Sequence, residues 1–181
     1  MKSSVLKHLL CLLISLISLI SIAQESESSE STELKKHRIS LGLGHTHIPS
    51  SELIEGRNKL AFASWTLDYD FHFNERWALG LQTDLIMESF IIKRFNQEEI
   101  ERDYPFSVSP VVLFKPFERW SFVAGVGAEF APGETLGFTR LGVEYGIEIS
   151  ENWEFGITFL WDAKWEYYNS WGLALMISRL W

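Results

Sequence analysis

The sequence predicts an all-β chain: a closed antiparallel up-and-down transmembrane β-barrel of eight strands. Three observations predict it. From residue 37 onward, eight successive stretches alternate large apolar residues with small or polar ones at period two, the pattern of strands with one apolar face. Aromatic residues on the apolar faces gather near the strand ends, where amphipathic rings meet the headgroup level of a bilayer. No stretch after the leader is long and apolar enough to cross a membrane as a helix.

The elements follow in order. Residues 1–23 read as a signal peptide: Lys2 and Lys7, a short apolar core over 9–20, and Ser21-Ile22-Ala23 as a cleavage site before Gln24. The alternative, an uncleaved anchor, needs a longer apolar run. Cys11 is the only cysteine, and Leu10 precedes it where a lipoprotein signal needs a small residue. With the leader gone no thiol is left for disulfides or metal thiolates. Residues 24–36 are rich in Glu and Ser and lack aromatics, which suits a flexible periplasmic tail. The barrel domain is 37–181.

The first strand, 38–47, sets Ile39, Leu41 and Leu43 against Ser40, Gly42 and Gly44. The second, 59–73, sets Trp65, Leu67, Tyr69 and Phe71 against Ser64, Thr66, Asp68, Asp70 and His72. The third, 76–91, sets Trp77, Leu79, Leu81, Leu85 and Met87 against Gly80, Gln82, Asp84 and Glu88. The fourth, 106–115, contains Pro110, which cannot donate to a ladder, so a bulge or break is expected there. The fifth, 120–130, sets Trp120, Phe122, Val126 and Phe130 against Ser121, Gly125, Gly127 and Glu129. The sixth, 137–149, sets Leu141, Val143, Tyr145 and Ile147 against Arg140, Gly142, Glu144, Gly146 and Glu148. The seventh, 153–163, sets Trp153, Phe155, Ile157, Phe159 and Trp161 against Glu154, Gly156, Thr158 and Asp162. The eighth, 171–181, sets Trp171, Leu173, Leu175, Ile177 and Trp181 against Gly172, Ala174, Met176 and Ser178.

A weak repeat marks one end. Phe73-Asn74-Glu75-Arg76-Trp77, Phe117-Glu118-Arg119-Trp120 and Ile149-Ser150-Glu151-Asn152-Trp153 are each a short polar turn followed by Trp. They share that end with both termini. The longer connections, 48–57, 92–105, 131–136 and 164–169, fall at the other. Short turns mark the periplasmic end of a membrane barrel and long loops its outer end.

A soluble barrel of the lipocalin type alternates in the same way. The polar face decides against it, because Gly and acids suit a crowded lumen better than a water-facing wall. The aromatics also fall into two girdles: Phe73, Trp77, Trp120, Trp153 and Trp181 at the turn end, and Phe90, Tyr104, Phe130, Trp161 and Trp171 at the loop end. Arg179 falls on the lipid face near the turn end, where its stem can snorkel to headgroups.

A C-terminal strand closed by an aromatic, as in Trp171 to Trp181, resembles the assembly signal of bacterial outer-membrane barrels. The region 37–181 resembles the small eight-stranded OmpA/OmpX-type outer-membrane proteins. The resemblance implies a Gram-negative outer membrane, both termini periplasmic, a monomer in contact with outer-membrane lipid, and insertion by periplasmic chaperones and the barrel-insertion machinery. It implies a fold more than a function.

The formal charge is −8 and becomes more negative once two leader lysines are lost. That argues against nucleic acid as a partner. Parity sends Asp68, Asp70, Asp84, Glu88, Glu129, Glu144, Glu148, Glu154 and Asp162 into the lumen with Arg38, Lys115, Arg140, Lys164 and His72. Eight strands leave an interior just wide enough for side chains, so a salt-bridged plug is the first expectation. Because acids exceed bases, a narrow cation-preferring pore or cation site is the second.

His45 and His47 lie on one side of the first strand near its outer rim, with Glu52 in the next loop, as a metal site would require. Surface histidines read the same way. His45 or His47 with Ser50 or Ser51 and Glu52 would also suit an envelope-lipid-modifying hydrolase, without any motif of such enzymes. Gly42-Leu43-Gly44 and Gly125-Val126-Gly127 sit inside strands and relieve crowding rather than cradle phosphate. The sequence therefore points to a porin-like envelope barrel of structural or surface-interaction role, not an enzyme and without cofactor or metal. The channel and the lipid enzyme follow it in that order.

Overall fold

The computed structural model describes residues 34–49, 61–93 and 99–181, the side chain of Lys93 excepted. The expected leader, and the tail up to residue 33, lie outside the described residues. The strands are β1 (His37–His47), β2 (Ala61–His72), β3 (Trp77–Ile86), β4 (Phe90–Lys93), β5 (Glu99–Arg102), β6 (Phe106–Phe117), β7 (Trp120–Phe130), β8 (Thr135–Ser150), β9 (Trp153–Lys164) and β10 (Asn169–Leu180). Eight of them close into an antiparallel up-and-down barrel in the order β1-β10-β9-β8-β7-β6-β3-β2, and β4 pairs only with β5. Every barrel neighbour except β3–β6 and the β1–β10 seam is also a chain neighbour. The period-two expectation holds for all eight walls.

Closure joins the first wall strand to the last. His37 and Trp181 exchange backbone hydrogen bonds at 3.0 Å in both directions, and His72 N donates to Lys36 O at 2.7 Å. The turns at 73–76, 118–119 and 151–152 share this end. It is called the turn end below, and the opposite one the loop end.

Burial is inverted relative to a soluble protein. On β1 and β2 the pattern alternates strictly, with Ile39, Leu41, Leu43, Trp65 and Leu67 exposed and Ser40, Ser64, Thr66, Asp68 and Asp70 buried. Leu43 is 54% exposed while Asp70 is 0% exposed. An apolar exterior around a charged interior is the arrangement of a barrel in lipid, since hydrocarbon can satisfy no polar group. It removes the soluble-barrel alternative. Arg179 points outward beside Trp153, its guanidinium carbon 5.9 Å from the ring centroid.

Four details refine or differ from expectation. β6 runs through Pro110 in one register with β3 from Phe106 to Phe114, and the expected local break is confined to the β6–β7 ladder, which skips Ser109 and Pro110 between Val108↔Ala128 and Val111↔Gly125. The Val126 carbonyl, opposite the missing Pro110 N–H, accepts from Ser109 Oγ at 3.1 Å instead. The register shift falls between Phe114 and Phe117, around Pro116. Next, the expected loop over 92–105 holds the β4–β5 hairpin. Then β3 stops at Ile86, so Glu88 lies in a bend beyond the wall. Last, Phe90 leaves the aromatic girdle and is 1% exposed at the start of the hairpin, packed into the core of the loop end.

Leu81 and Ile157 lie outward on well-paired strands. Arg at either position should cost on the order of 2–4 kcal/mol if placed near the bilayer midplane. Urea unfolding from lipid vesicles measures it. Wild-type stability in both variants would invert the assignment of faces.

Candidate functional site

The candidate site is the charged lumen with its cap. Alternation sends one residue in two inward, so each strand contributes its polar set to the same narrow space. Four cations organise it: Arg38 from β1, Arg140 from β8, Lys164 from β9 and Arg102 from β5.

Near the turn end, Arg38 binds three carboxylates. It donates to Asp70 at 2.7 Å, Glu144 at 2.6 Å and Glu154 at 3.2 Å. The carboxylates come from β2, β8 and β9, so one planar guanidinium ties three walls together. Glycine makes two of these contacts possible. A Cβ on Gly146 would lie 2.5 Å from the Glu154 carboxyl carbon, and one on Gly80 would lie 2.2 Å from Asp70 Oδ1. That Asp70 Oδ1 is buried and has no hydrogen-bond partner among the described residues. The lumen is apolar beside it, where Ala78, Val111, Leu113 and Val123 pack together.

Midway, Arg140 binds Asp162 at 2.8 Å and Asp84 at 2.5 Å. Gln82 bridges the two levels, with Nε2 donating to Glu144 at 3.0 Å and Oε1 accepting from Arg140 at 3.4 Å. Among the described residues Asp68 meets no cation at ion-pair distance, and it accepts from Thr66 Oγ1 at 2.9 Å and Thr83 N at 3.2 Å.

Toward the loop end, Lys164 reaches Asp162 at 3.3 Å, Glu129 at 3.6 Å and Ser170 Oγ at 2.6 Å. Arg102 then enters from the hairpin. It binds Glu129 at 2.9 Å with both side chains 0% exposed, and donates to the Glu134 carbonyl at 2.6 Å. Tyr168 donates to both Glu129 oxygens at 2.8 Å. Burial, and then the adjacent Glu129 charge, hold this phenol well above its usual pKa, so it remains a donor.

Over this sits an apolar cap built from Ile48, Phe62, Ile86, Phe90, Ile92, Leu136, Tyr167 and Tyr168, with Ile100 against it. The backbone bends sharply in three connections of this end, where Tyr104 has φ 44°, Gly133 φ 96° and Glu166 φ 66°. The turn end is polar instead. A cavity of about 30 Å³, room for about one water, is bordered there by Arg38, Asp68, His72, Lys115, Arg119 and Glu154.

Seven of the nine acids assigned to the lumen thus lie buried or half-buried in one network or beside it, Asp68, Asp70, Asp84, Glu129, Glu144, Glu154 and Asp162, together with Arg140. Glu88 lies beyond β3, and Glu148 is exposed at the turn end next to the β8–β9 register shift. His72 borders the turn-end cavity with Nδ1 unpartnered among the described residues, and Lys115 stands half-buried at the same mouth. His45 and His47 lie on the lipid side of β1, His47 stacked on Trp171 at 3.9 Å between centroids. Glu52, Ser50 and Ser51 lie outside the described residues. Among the described residues no three His, Cys, Asp or Glu are grouped to hold a metal ion.

Arg102 and Tyr168, which lie off the wall strands, escape a parity reading of the wall. The signal for Arg102 is a pair of brief strand-like runs, Phe90-Ile91-Ile92-Lys93 and Glu99-Ile100-Glu101-Arg102, on either side of a mostly polar stretch.

The fold is shared with solved structures. Ail, the attachment invasion locus protein of Yersinia pestis, crystallised with the heparin analogue sucrose octasulfate, is 14% identical over 81% of this chain and 99% of its own, with a TM-score of 0.51. Neisserial surface protein A is 8% identical over 80% of this chain and 97% of its own, with a TM-score of 0.52. Both are small eight-stranded outer-membrane barrels. No protein-family model matches the chain. No curated protein matches it.

Two variants test the network. Arg140→Met strands Asp84, whose cation is Arg140, and should cost about 3–5 kcal/mol of unfolding free energy. Adding Asp84→Asn to the same chain should recover part of that loss. Arg102→Met should speed amide exchange at Ile92 and Ile100 while leaving the wall strands slow, because it frees the cap and not the barrel.

Proposed function

We propose that the chain is a bacterial outer-membrane barrel with both termini on the periplasmic side, serving the envelope as a structural or surface-interaction protein. One observation carries the reading. Ion pairs and hydrogen bonds run without a gap from Arg38 through Glu144, Gln82, Arg140, Asp162, Lys164 and Glu129 to Arg102, under an apolar cap. A solute crossing this lumen would have to break several buried charge pairs in series and then part the cap.

The remaining features fit the same role. Lipid is the partner of the wall, whose outward rows are Leu, Ile, Val, Phe and Trp. A closed sheet has no free edge, which suits a monomer. The loop end offers the hairpin as a contact surface, with Glu99 and Glu101 exposed on it. The reading assigns no catalysis, since His45 and His47 face lipid, away from the charged lumen. Assembly by periplasmic chaperones and the insertion machinery belongs to the same reading.

A narrow cation-preferring pore is the second reading. Charge at the turn end favours it: Asp70, Glu144 and Glu154 share Arg38, and Asp68 pairs with no cation among the described residues although Lys115 and Arg119 stand at the mouth, whereas Asp84, Asp162 and Glu129 are matched by Arg140, Lys164 and Arg102.

Planar-bilayer recording of folded residues 24–181 separates the two. The plugged barrel should be silent in monovalent salt. Reproducible cation-selective steps that shrink in Asp84→Asn would replace it with the pore.

A further inference from the structure

The β4–β5 hairpin is held differently from the wall strands. Its ladder is complete within itself, with Phe90 opposite Arg102, Ile91 opposite Glu101, Ile92 opposite Ile100 and Lys93 opposite Glu99. Among the described residues no backbone hydrogen bond joins it to a wall strand. It can therefore move as one body without losing a rung. A wall strand cannot, because each is bonded to a neighbour on both sides.

Two short connections attach it. Residues 87–89 and 103–105 belong to no strand. They are anchored at the wall, where Met87 N donates to Ala63 O at 2.9 Å and Ile86 N to Pro105 O at 3.1 Å. Nearer the hairpin, the Ser89 hydroxyl donates to the Asp103 carboxylate and ties the two connections together. Between these anchors Tyr104 holds φ 44°, a left-handed conformation that costs energy for any residue but glycine.

The polar attachment is arranged for release. Among the described side chains of the two strands, Arg102 is the one bonded to the wall: to the Glu129 carboxylate at 2.9 Å and to the Glu129 and Glu134 carbonyls at 3.3 and 2.6 Å. Withdrawing it does not strand Glu129, which keeps the Tyr168 hydroxyl at 2.8 Å on both oxygens and Lys164 at 3.6 Å. The freed guanidinium and the two carbonyls then meet water. Arg38 and Arg140 have no such exit. Each sits in a wall strand, and among the described residues each is the sole cation of one carboxylate, Asp70 and Asp84 respectively. What holds the hairpin down is therefore mainly apolar. Phe90 and Ile92 are 1% and 0% exposed, and the Phe90 ring lies 4.9 Å from Phe62 and 6.0 Å from Tyr168 between centroids.

We infer that β4–β5 is a hinged lid. It swings as a unit on residues 87–89 and 103–105 and draws Arg102 away from Glu129, while the wall and the pairs from Arg38 to Lys164 stay in place. Open, it uncovers an apolar cup of Phe62, Ile86, Leu136 and Tyr168 to solvent. The open form is a minor state, roughly 0.1–10% of molecules. The inference adds regulation to the capped-lumen reading above and rests on it.

The test uses residues 24–181, which contain no cysteine, folded in lipid vesicles. Folding is checked by the heat-dependent mobility shift in SDS. A missing shift in the parent chain defeats the membrane reading and the lid with it. Ile92→Cys on the lid and Val111→Cys in the lumen are each reacted with a sulfonated maleimide, and rates are compared with those of the same chains unfolded in urea. The lid thiol should react at least about tenfold faster than the lumen thiol, because local opening is easier than global unfolding. Arg102→Met should raise the lid rate about tenfold further, as loss of a charged hydrogen bond does, and leave the lumen rate unchanged. Leu136→Cys, on the wall side of the cup, replaces Ile92→Cys if that variant fails the mobility check. Two slow thiols would mean that the hairpin opens only with the whole barrel, and would overturn the lid alone. Two fast thiols would mean an open lumen, and would overturn the capped reading beneath it as well. A lid rate that Arg102→Met leaves unchanged also overturns the inference.

Discussion

A wall that meets hydrocarbon on one side leaves its charges a single destination, and the rest of this structure follows from that. The lumen of an eight-stranded barrel is too narrow to hold bulk water around them. Each carboxylate must then find a donor, and Arg38 and Arg140 supply most of the donors. Buried ion pairs are poor sources of net stability, because desolvation offsets the attraction. Their larger effect here is on register. A one-residue slip of β1 or β2 would carry Arg38 or Asp70 into lipid and Leu41 or Leu67 into the charged interior. The network therefore selects one alignment of the strands among the many that backbone pairing alone would accept.

The same lumen ends in two different ways. The loop end is dry, with the hairpin bringing Ile92 and Phe90 over the mouth and Arg102 down into it. The turn end stays polar and holds a small cavity beside Arg38. Two short strands outside the wall thus complete the apolar lid, where Phe90 and Ile92 join Phe62, Ile86 and Leu136 of the wall, and supply the last cation of the charge chain.

The wall is legible in the sequence because one rule, alternation, decides strand, face and neighbour at once. Asp68 through Asp162 follow from parity alone. What parity misses is whatever lies off the wall or at its edge. Glu88 continues the alternation of β3 on paper, yet Ile86 N already bonds Pro105 O, and the ladder has given way to the cap. Glu148 has inward parity, but β8 overhangs the mouth there and the side chain meets solvent. Pro110 looks like a break, and it interrupts only the β6–β7 ladder, where the hydroxyl of Ser109 bonds across. Arg102 is invisible to parity because its strand belongs to a different sheet. His45 and His47 have the spacing of ligands and the parity of lipid-facing residues, and parity describes where they lie.

Arg38 has a further consequence, for the order of events. It sits on the first strand, while Glu144 and Glu154 lie 106 and 116 residues later on β8 and β9. Before the β1–β10 seam zips, Arg38 and these acids belong to opposite margins of an open sheet and stay hydrated. Only when the margins meet can the guanidinium shed its water and take three carboxylates. Strand pairing alone already sets Arg140 against Asp162 and Arg38 against Asp70. The bonds from Arg38 to Glu144 and Glu154 come only with the last seam, so closing the barrel and locking the turn end of its interior are one event.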